Sequence, residues 1–188
     1  MPIQLLRSER IRIRPIESEE DLRYLFRSFN DPESVGKFVN FEPRSWEAFQ
    51  NFIREGARSY SQFNPLLIEK NDDKRLIGSV VHFVPHPLSK ACMEIGYGID
   101  DPALRRKGFA SEAAGLLVDF LFLTKPLKRI QATTNVDNVG SQGVLRHLGF
   151  IREGIIRKAD FINGEFSDVI LYSILREEWE KGRLRESK

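Results

Sequence analysis

The chain has 188 residues, 41% hydrophobic and 30% charged, the make-up of a folded globular protein long enough to bury a core. Its 29 basic and 27 acidic residues leave a net charge of +2, too balanced to point to nucleic acid, so any basic site must be local. The single cysteine, Cys92, excludes an intrachain disulfide framework and a thiolate metal cluster. No run approaches the ~20 apolar residues of a membrane span, and Met1–Glu9 lacks the apolar core of a signal peptide. The expectation is one domain over residues 1–188, with a core of about 6–179, in a reducing cytoplasm and off the membrane.

Ile11 and Ile13 alternate with Arg10, Arg12 and Arg14, which predicts a short strand with its arginines on a wet face, ended by Pro15. Ser18-Glu19-Glu20-Asp21 resembles a capping box with Asp in the place of Glu, and Leu22, Leu25, Phe26 and Phe29 follow as one helical stripe. Asp31-Pro32 breaks that helix and starts a short second one through Val35. Ser45 reads as the cap of a further helix, with Trp46, Phe49, Ile53, Ala57 and Tyr60 on one face; the stripe is a core face first, and the wall of an acceptor site second. Three strands are expected at Pro65 to Glu69, Leu76 to Val84 and Ala91 to Ile99. Asn71-Asp72-Asp73 turns between the first two, and His86-Pro87 lies in the next connection.

From Ala110 the apolar residues Ala113, Ala114, Leu117, Phe120 and Leu121 fall at helical spacing, with Glu112, Gly115 and Asp119 on the other face and Pro126 at the end. Three cations, Arg105, Arg106 and Lys107, precede this helix, where the macrodipole favours acids by about 0.3–1 kcal/mol each. Two readings stand. Either an anion docks there, on free N–H groups that Gly108 lets a ligand approach, or the stretch is a solvated basic turn. A strand from Arg129 to Thr134 follows. A second helix starts at Asn138, with Ser141, Val144, Leu145 and Leu148 on one face and Gly149 as its stop. Final strands at Ile151 to Lys158 and Ser167 to Leu175 flank the hairpin turn Asn163-Gly164. The tail from Glu177 to Lys188 is highly charged and is expected to fray. The element order argues an α/β (α+β) fold: a mixed sheet with helices on both faces.

Familiar phosphate motifs fail. Phe109-Ala110 follows Gly108 where a Walker loop needs Lys-Ser/Thr, and Asp101 stands where the third glycine of a dinucleotide fingerprint begun by Gly96-Tyr97-Gly98 belongs. His82, His86 and His147 are scattered without metal spacing and suit surface or loop roles, so no metal is expected.

What remains is a combination in order: Leu6-Arg7-Ser8-Glu9-Arg10-Ile11-Arg12-Ile13-Arg14-Pro15, Glu94-Ile95-Gly96-Tyr97-Gly98-Ile99, Arg105-x-x-Gly108-x-Ala110 continued by Ser111-Glu112-Ala113, Asn135 and Asn138 with Ser141, and Leu148-Gly149-Phe150. It resembles the GNAT acetyltransferase superfamily, whose acyl-CoA signature is Arg/Gln-x-x-Gly-x-Gly/Ala, and within it the RimJ/RimL branch of ribosomal-protein acetyltransferases. The resemblance runs from about Leu6 to Trp179. It implies a mostly antiparallel seven-stranded sheet of the acyl-CoA N-acyltransferase fold and acetyl-CoA as donor. It further implies a primary amine as acceptor, either a protein N-terminal amine or a small-molecule amine. The chain departs from the branch at Gly98, where a bulky aromatic, usually Trp, is common, and at Gln142-Gly143, which softens the start of the second helix.

On that resemblance, the loop Arg105, Arg106, Lys107, Gly108, Phe109, Ala110 and Ser111 holds the pyrophosphate, mainly by backbone N–H groups. Tyr97, Gly98 and Ile99 pair with the pantetheine arm through their backbone, and Asn138, with Asn135 less strongly, meets the arm's amides. Asn138 serves equally as a plain helix cap. Ser141 is the candidate donor to the departing thiolate, against a core hydroxyl bonded to its own helix. Glu94 is the candidate base, directly or through water, sharing a strand face with Gly96 and Gly98, which leave space beside it. Tyr97 is on the other face and reads as core first, and as a pocket-lining residue second. Asp168 and Tyr172 stand behind as acceptor-binding candidates; Cys92, on the face of Glu94, makes an acetyl-cysteine route conceivable, but direct attack within a ternary complex is simpler and is what the resemblance implies. A non-catalytic acyl-CoA sensor and a partner-binding protein that has lost CoA compete with the enzyme reading; either a monomer or a homodimer is compatible with all three.

Overall fold

The computed structural model describes residues 6–58, 63–85 and 91–186. Strand β1 (Ile11–Arg14) leads into helices α1 (Glu19–Phe29), α2 (Pro32–Val35) and α3 (Trp46–Arg58). Strands β2 (Asn64–Lys70), β3 (Leu76–Phe83) and β4 (Cys92–Ile99) follow, then a 3-10 turn (Pro102–Leu104) and helix α4 (Phe109–Thr124). Strand β5 (Arg129–Asn135), helix α5 (Val139–His147), the hairpin β6 (Ile151–Ile162) and β7 (Glu165–Leu175), and helix α6 (Arg176–Glu186) complete the chain.

The strands form one seven-stranded sheet in the order β1-β2-β3-β4-β5-β7-β6. Every neighbouring pair is antiparallel except β4 with β5, which the α4 crossover makes parallel. This is the expected mixed, mostly antiparallel sheet. Strand alternation sends Ile11, Ile13, Leu66, Ile68, Val80, Ile95 and Ile130 to one face, where they pack with Phe109, Ala113, Leu117 and Leu121 of α4 and Leu145 of α5. Leu67 goes to the other face and packs with Leu25 of α1 and Phe49 of α3. Trp46, Phe49 and Ile53 of the α3 stripe are therefore core, as their spacing suggests, whereas Ala57 is exposed; Tyr60 and the His86-Pro87 connection lie outside the described residues.

Local signals set the boundaries. The Asp21 N–H donates to Ser18 Oγ at 3.1 Å, and the Asp31 carboxylate accepts from the N–H groups of Glu33 and Ser34 ahead of Pro32. The Ala48 N–H donates to Ser45 Oγ at 3.2 Å. Asn163 and Gly164, at φ 53° and 86°, make the left-handed pair that a tight hairpin turn requires. Gly78 has a different constraint: a Cβ there would sit 2.1 Å from the Gly98 carbonyl oxygen, so β3 can approach β4 this closely only without a side chain.

Three expectations are corrected. Arg14 is not on a wet face, because Asp21 of α1 and Glu69 of β2 enclose it, while Arg12 keeps part of its side chain in solvent. Both hydrogen-bond to the buried Glu69 carboxylate, and Arg14 also binds both oxygens of Asp21 at 2.7 and 2.8 Å. Burial pushes the Glu69 carboxyl up, but the two guanidinium groups overcome it and hold it below its usual range. The charged tail does not fray at Glu177; it forms α6. Trp179 stacks on Phe122 at 5.0 Å and donates to Asp119 at 2.6 Å. His82 is not a surface or loop residue: it is 4% exposed inside β3, and burial lowers its pKa to about 4.

Candidate active site

The parallel pairing of β4 with β5 runs only through Cys92–Arg129, Met93–Ile130 and Glu94–Gln131. Beyond that point the two strands diverge. The gap opens a cavity of about 600 Å³, lined by Ile95, Gly96, Tyr97 and Gly98 on one side and Ala132, Thr133, Thr134 and Asn135 on the other. Asn138, the cap of α5, and Ser141 within it also line the cavity, as do Phe29, Phe38, Val39, Asn40, Glu42 and Asp160. Because the sheet is open here, the cavity takes side chains from both faces. Tyr97 packs against the core, as expected, and also lines the cavity. A second cavity of about 580 Å³ adjoins the first, sharing Phe38 and Asn135.

Ser141 and Tyr97 meet. Their hydroxyls lie 3.0 Å apart, and the Tyr97 O–H also reaches the Ser141 carbonyl at 3.2 Å. Burial pushes the Tyr97 phenol up to about 12, so it carries its proton at neutral pH. Asn138 Oδ1 accepts from the Ser141 N–H at 3.1 Å, which makes Asn138 a helix cap and a cavity residue together. Asn135 Oδ1 accepts from the Asp137 N–H at 2.8 Å, ordering the turn after β5.

Glu94 is held rather than free. Gln131 Nε2 donates to one carboxylate oxygen at 2.9 Å and Thr133 Oγ1 to the other at 2.7 Å. Glu94 itself is not part of the cavity wall; Thr133, its partner, is. The expected open space beside it is half present. A Cβ on Gly98 would meet nothing within 4 Å, whereas one on Gly96 would touch Val81 at 3.0 Å. Two other expectations fail on burial. Tyr172 is 2% exposed and belongs to the core, not to an acceptor site. Cys92 is 6% exposed and burial pushes its thiol up, so it is neither accessible nor a ready thiolate. Asp168 lines the second cavity and accepts from the Lys158 N–H at 2.9 Å.

At the basic loop, Arg106 and Gly108 are both left-handed, at φ 60° and 84°. Gly108 is the N-cap of α4 and has no side chain to cap it, and the first helix bond runs from Glu112 N–H to the Gly108 carbonyl. The N–H groups of Phe109, Ala110 and Ser111 precede that bond, and Arg106 and Lys107 are exposed beside them. Phe109 and Ile99 are buried at 8% and 7%, so each can offer a ligand only its backbone. Arg105 departs from its expected place among the anion-facing cations: its guanidinium points inward to backbone carbonyls.

No local sequence signal marks the rest of the cavity wall. Phe38–Glu42 is irregular, and Asp160 sits where β6 bulges between Ile156 and Asp160, past the expected strand end at Lys158. Among the described residues, no group of three or more His, Cys, Asp or Glu is placed to hold a metal ion, and no helix is long and apolar enough to cross a membrane.

Residues 10–151 match the family described as Acetyltransferase (GNAT) domain. The chain belongs to the GNAT acetyltransferase family. This acetyltransferase is 31% identical to the Bacillus subtilis (strain 168) protein named uncharacterized N-acetyltransferase YoaA, over 92% of this chain and 97% of that one. It is also 31% identical to the ribosomal-protein-serine acetyltransferase of Escherichia coli (strain K12), over 80% and 78%. Its fold superposes on the Vibrio cholerae spermidine N-acetyltransferase, solved with CoA and spermine, with a TM-score of 0.78 at 23% identity, covering 92% and 99% of the two chains.

Proposed function

We propose that this acetyltransferase moves an acetyl group from acetyl-CoA to a primary amine by direct attack in a ternary complex, working as one domain in the cytoplasm as a monomer or homodimer. The observation that carries the reading is the opened β4–β5 gap, whose cavity ends on the Tyr97–Ser141 pair. Its volume, about 600 Å³, suits a small-molecule site. In this reading the Gly108 loop holds the pyrophosphate with the N–H groups of Phe109, Ala110 and Ser111, helped by Arg106 and Lys107. The backbone edge of Tyr97, Gly98 and Ile99 that β5 leaves open pairs with the pantetheine amides, Ile99 without its carbonyl, which Arg105 holds, and Asn138 and Asn135 border the arm.

Ser141 gives a hydrogen bond to sulfur as the thiolate departs, and Tyr97 supports the serine oxygen from behind. The raised phenol keeps Tyr97 a donor throughout. Glu94 takes the ammonium proton through the Thr133 hydroxyl or a water, because Thr133 reaches the cavity and Glu94 does not. The buried, raised Cys92 thiol supports direct attack over an acetyl-cysteine intermediate. The acceptor is a protein N-terminal amine or a small-molecule amine that enters past Phe38, Glu42 and Asp160.

The test is thiol release from acetyl-CoA across four amine classes: N-terminal peptide amines, polyamines, aminoglycosides and amino acids. Turnover on one class is expected. CoA binding without turnover on any of them would overturn the enzyme reading in favour of an acyl-CoA sensor.

A further inference from the structure

Arg105 is the signature cation that turns away from the loop's outer face. Its Nε donates to the Ile99 carbonyl at 2.9 Å, and one terminal nitrogen reaches the carbonyls of Ser34, Asp100 and Glu33 at 3.0, 3.1 and 2.5 Å. Two of those carbonyls belong to the end of β4 and the residue after it. The other two belong to α2, far away in the chain. A guanidinium can serve both groups because its donors diverge in a plane; an ammonium on a flexible stem cannot span them in the same way.

A second tie runs beside it. The largely buried Asp100 carboxylate accepts hydrogen bonds from the hydroxyls of Tyr24, at 2.5 Å, and Ser28, both on α1. The short connection Asp100–Arg105 therefore holds α1 through its carboxylate and α2 through its guanidinium, and Gly108 follows immediately. What α1 and α2 carry is the outer wall of the cavity: Phe29 ends α1, and Phe38, Val39, Asn40 and Glu42 follow α2. Those four residues lie outside helix and strand. Past Glu42, the Arg44 N–H donates to Asn30 Oδ1 at 2.8 Å, which returns the segment to the end of α1.

We infer that Arg105 is a positioning residue that couples occupancy of the Gly108 loop to the placement of the acceptor-side wall. The inference rests on the donor reading given above. When the loop settles on a phosphate group, the connection that bears Arg105 settles with it, and α2 and the segment after it are held in one arrangement. Coupling of this kind is reciprocal: an acceptor that binds the held wall tightens CoA by the same factor.

The test is amide hydrogen exchange of the protein with and without CoA, read on peptides covering residues 29–42, together with calorimetry of CoA. In the wild type, CoA is expected to slow exchange in that segment at least threefold, although no residue of it belongs to the Gly108 loop. In Arg105→Lys, CoA affinity is expected to stay within twofold while the protection of residues 29–42 is lost. Arg105→Ala should behave the same way if it folds, and Arg105→Lys carries the test if it does not. A merely structural arginine would raise exchange equally with and without CoA, and that result overturns the inference. So does CoA affinity falling tenfold in Arg105→Lys, which would make the side chain a phosphate ligand. Absence of CoA binding to the wild type would instead sink the donor reading, and this inference with it.

Discussion

Ser141→Ala separates a catalytic hydroxyl from a structural one, and its expected size follows from the geometry. The substitution removes the 3.0 Å contact with the Tyr97 hydroxyl but leaves Tyr97 its 3.2 Å bond to the Ser141 carbonyl, so no buried phenol is orphaned. Asn138 still caps the helix through the Ser141 N–H, which the mutation does not touch. The stability cost is then one ordinary hydrogen bond, about 0.5–1.5 kcal/mol, or about 1–6 °C in melting temperature for a chain of this size. A donor to the departing thiolate acts mainly in the transition state, so its loss should lower kcat by about 10–10³ and leave CoA affinity nearly unchanged. Tyr97→Phe should lower kcat by a smaller factor, and should cost nothing more in the Ser141→Ala background, because it acts through that oxygen. Thiol-release kinetics per folded molecule and thermal unfolding on the same preparations read both quantities. A normal kcat beside a lowered melting temperature would refute the catalytic role, and additive losses in the double mutant would refute the relay from Tyr97.

Gly108→Asn and Gly108→Asp share the left-handed backbone and the nearby Arg10, so their difference isolates charge at the anion site. Calorimetry should show Asp binding CoA at least tenfold more weakly than Asn, about 1.4 kcal/mol, and equal affinities would remove the pyrophosphate from this loop. Glu94→Gln should lower kcat with CoA binding intact; an unchanged kcat would pass the role to Asp160 or Glu42, the carboxylates of the cavity wall. Asp21 is held down at about 2, chiefly by its hydrogen bond with Arg14, so its contribution to stability is full above the unfolded carboxyl's pKa and is lost as pH falls from about 4 through 2. Denaturation from pH 5 to 2 should therefore show a smaller acid loss in Asp21→Asn, and an identical slope would contradict the assignment. Gly78→Ala should cost about 1–3 kcal/mol by overpacking against the Gly98 carbonyl, seen as a melting temperature lower by about 2–12 °C; a neutral outcome would show that β3 and β4 can part freely.

Most elements were legible because their signals are local. Ser18, Asp31 and Ser45 cap helices with their own side chains, and Asn163-Gly164 turns a hairpin by backbone preference alone. The alternation of Ile11 and Ile13 with Arg12 and Arg14 revealed two faces but not what covers the second. Only the packing of α1 makes the Arg14 end of that face a buried ion network with Asp21 and Glu69. The site divides in the same way. Ser141 and Asn138 were placed by helical spacing. Tyr97 reads as core by strand parity and does pack there, but it also reaches the cavity, because parity sorts the faces only while neighbouring strands stay paired, and β5 has left β4 by Tyr97. Glu42 and Asp160 gave no signal, one lying in an irregular segment and the other re-aimed by a bulge. For Arg105, the motif named the residue but could not say which way its guanidinium would turn.

The divergence of β4 from β5 also explains why several weak features sit together. A parallel pair needs a long crossover, and α4 supplies it with Ala113, Ala114, Leu117 and Leu121 packed fully under the sheet. The helix follows the part of β4 that keeps β3 but has lost β5, so the helix mouth, with its uncapped N–H groups, comes just after the same half-open strand in the chain. Backbone groups left open on a sheet edge are tolerable only if water or a ligand meets them. An arm that carries its own amides and ends in a phosphate can meet both at once, the strand edge with the first and the helix mouth with the second. That shared demand is a stronger reason to place an acyl-CoA here than any single side chain, since it comes from where the sheet stops pairing.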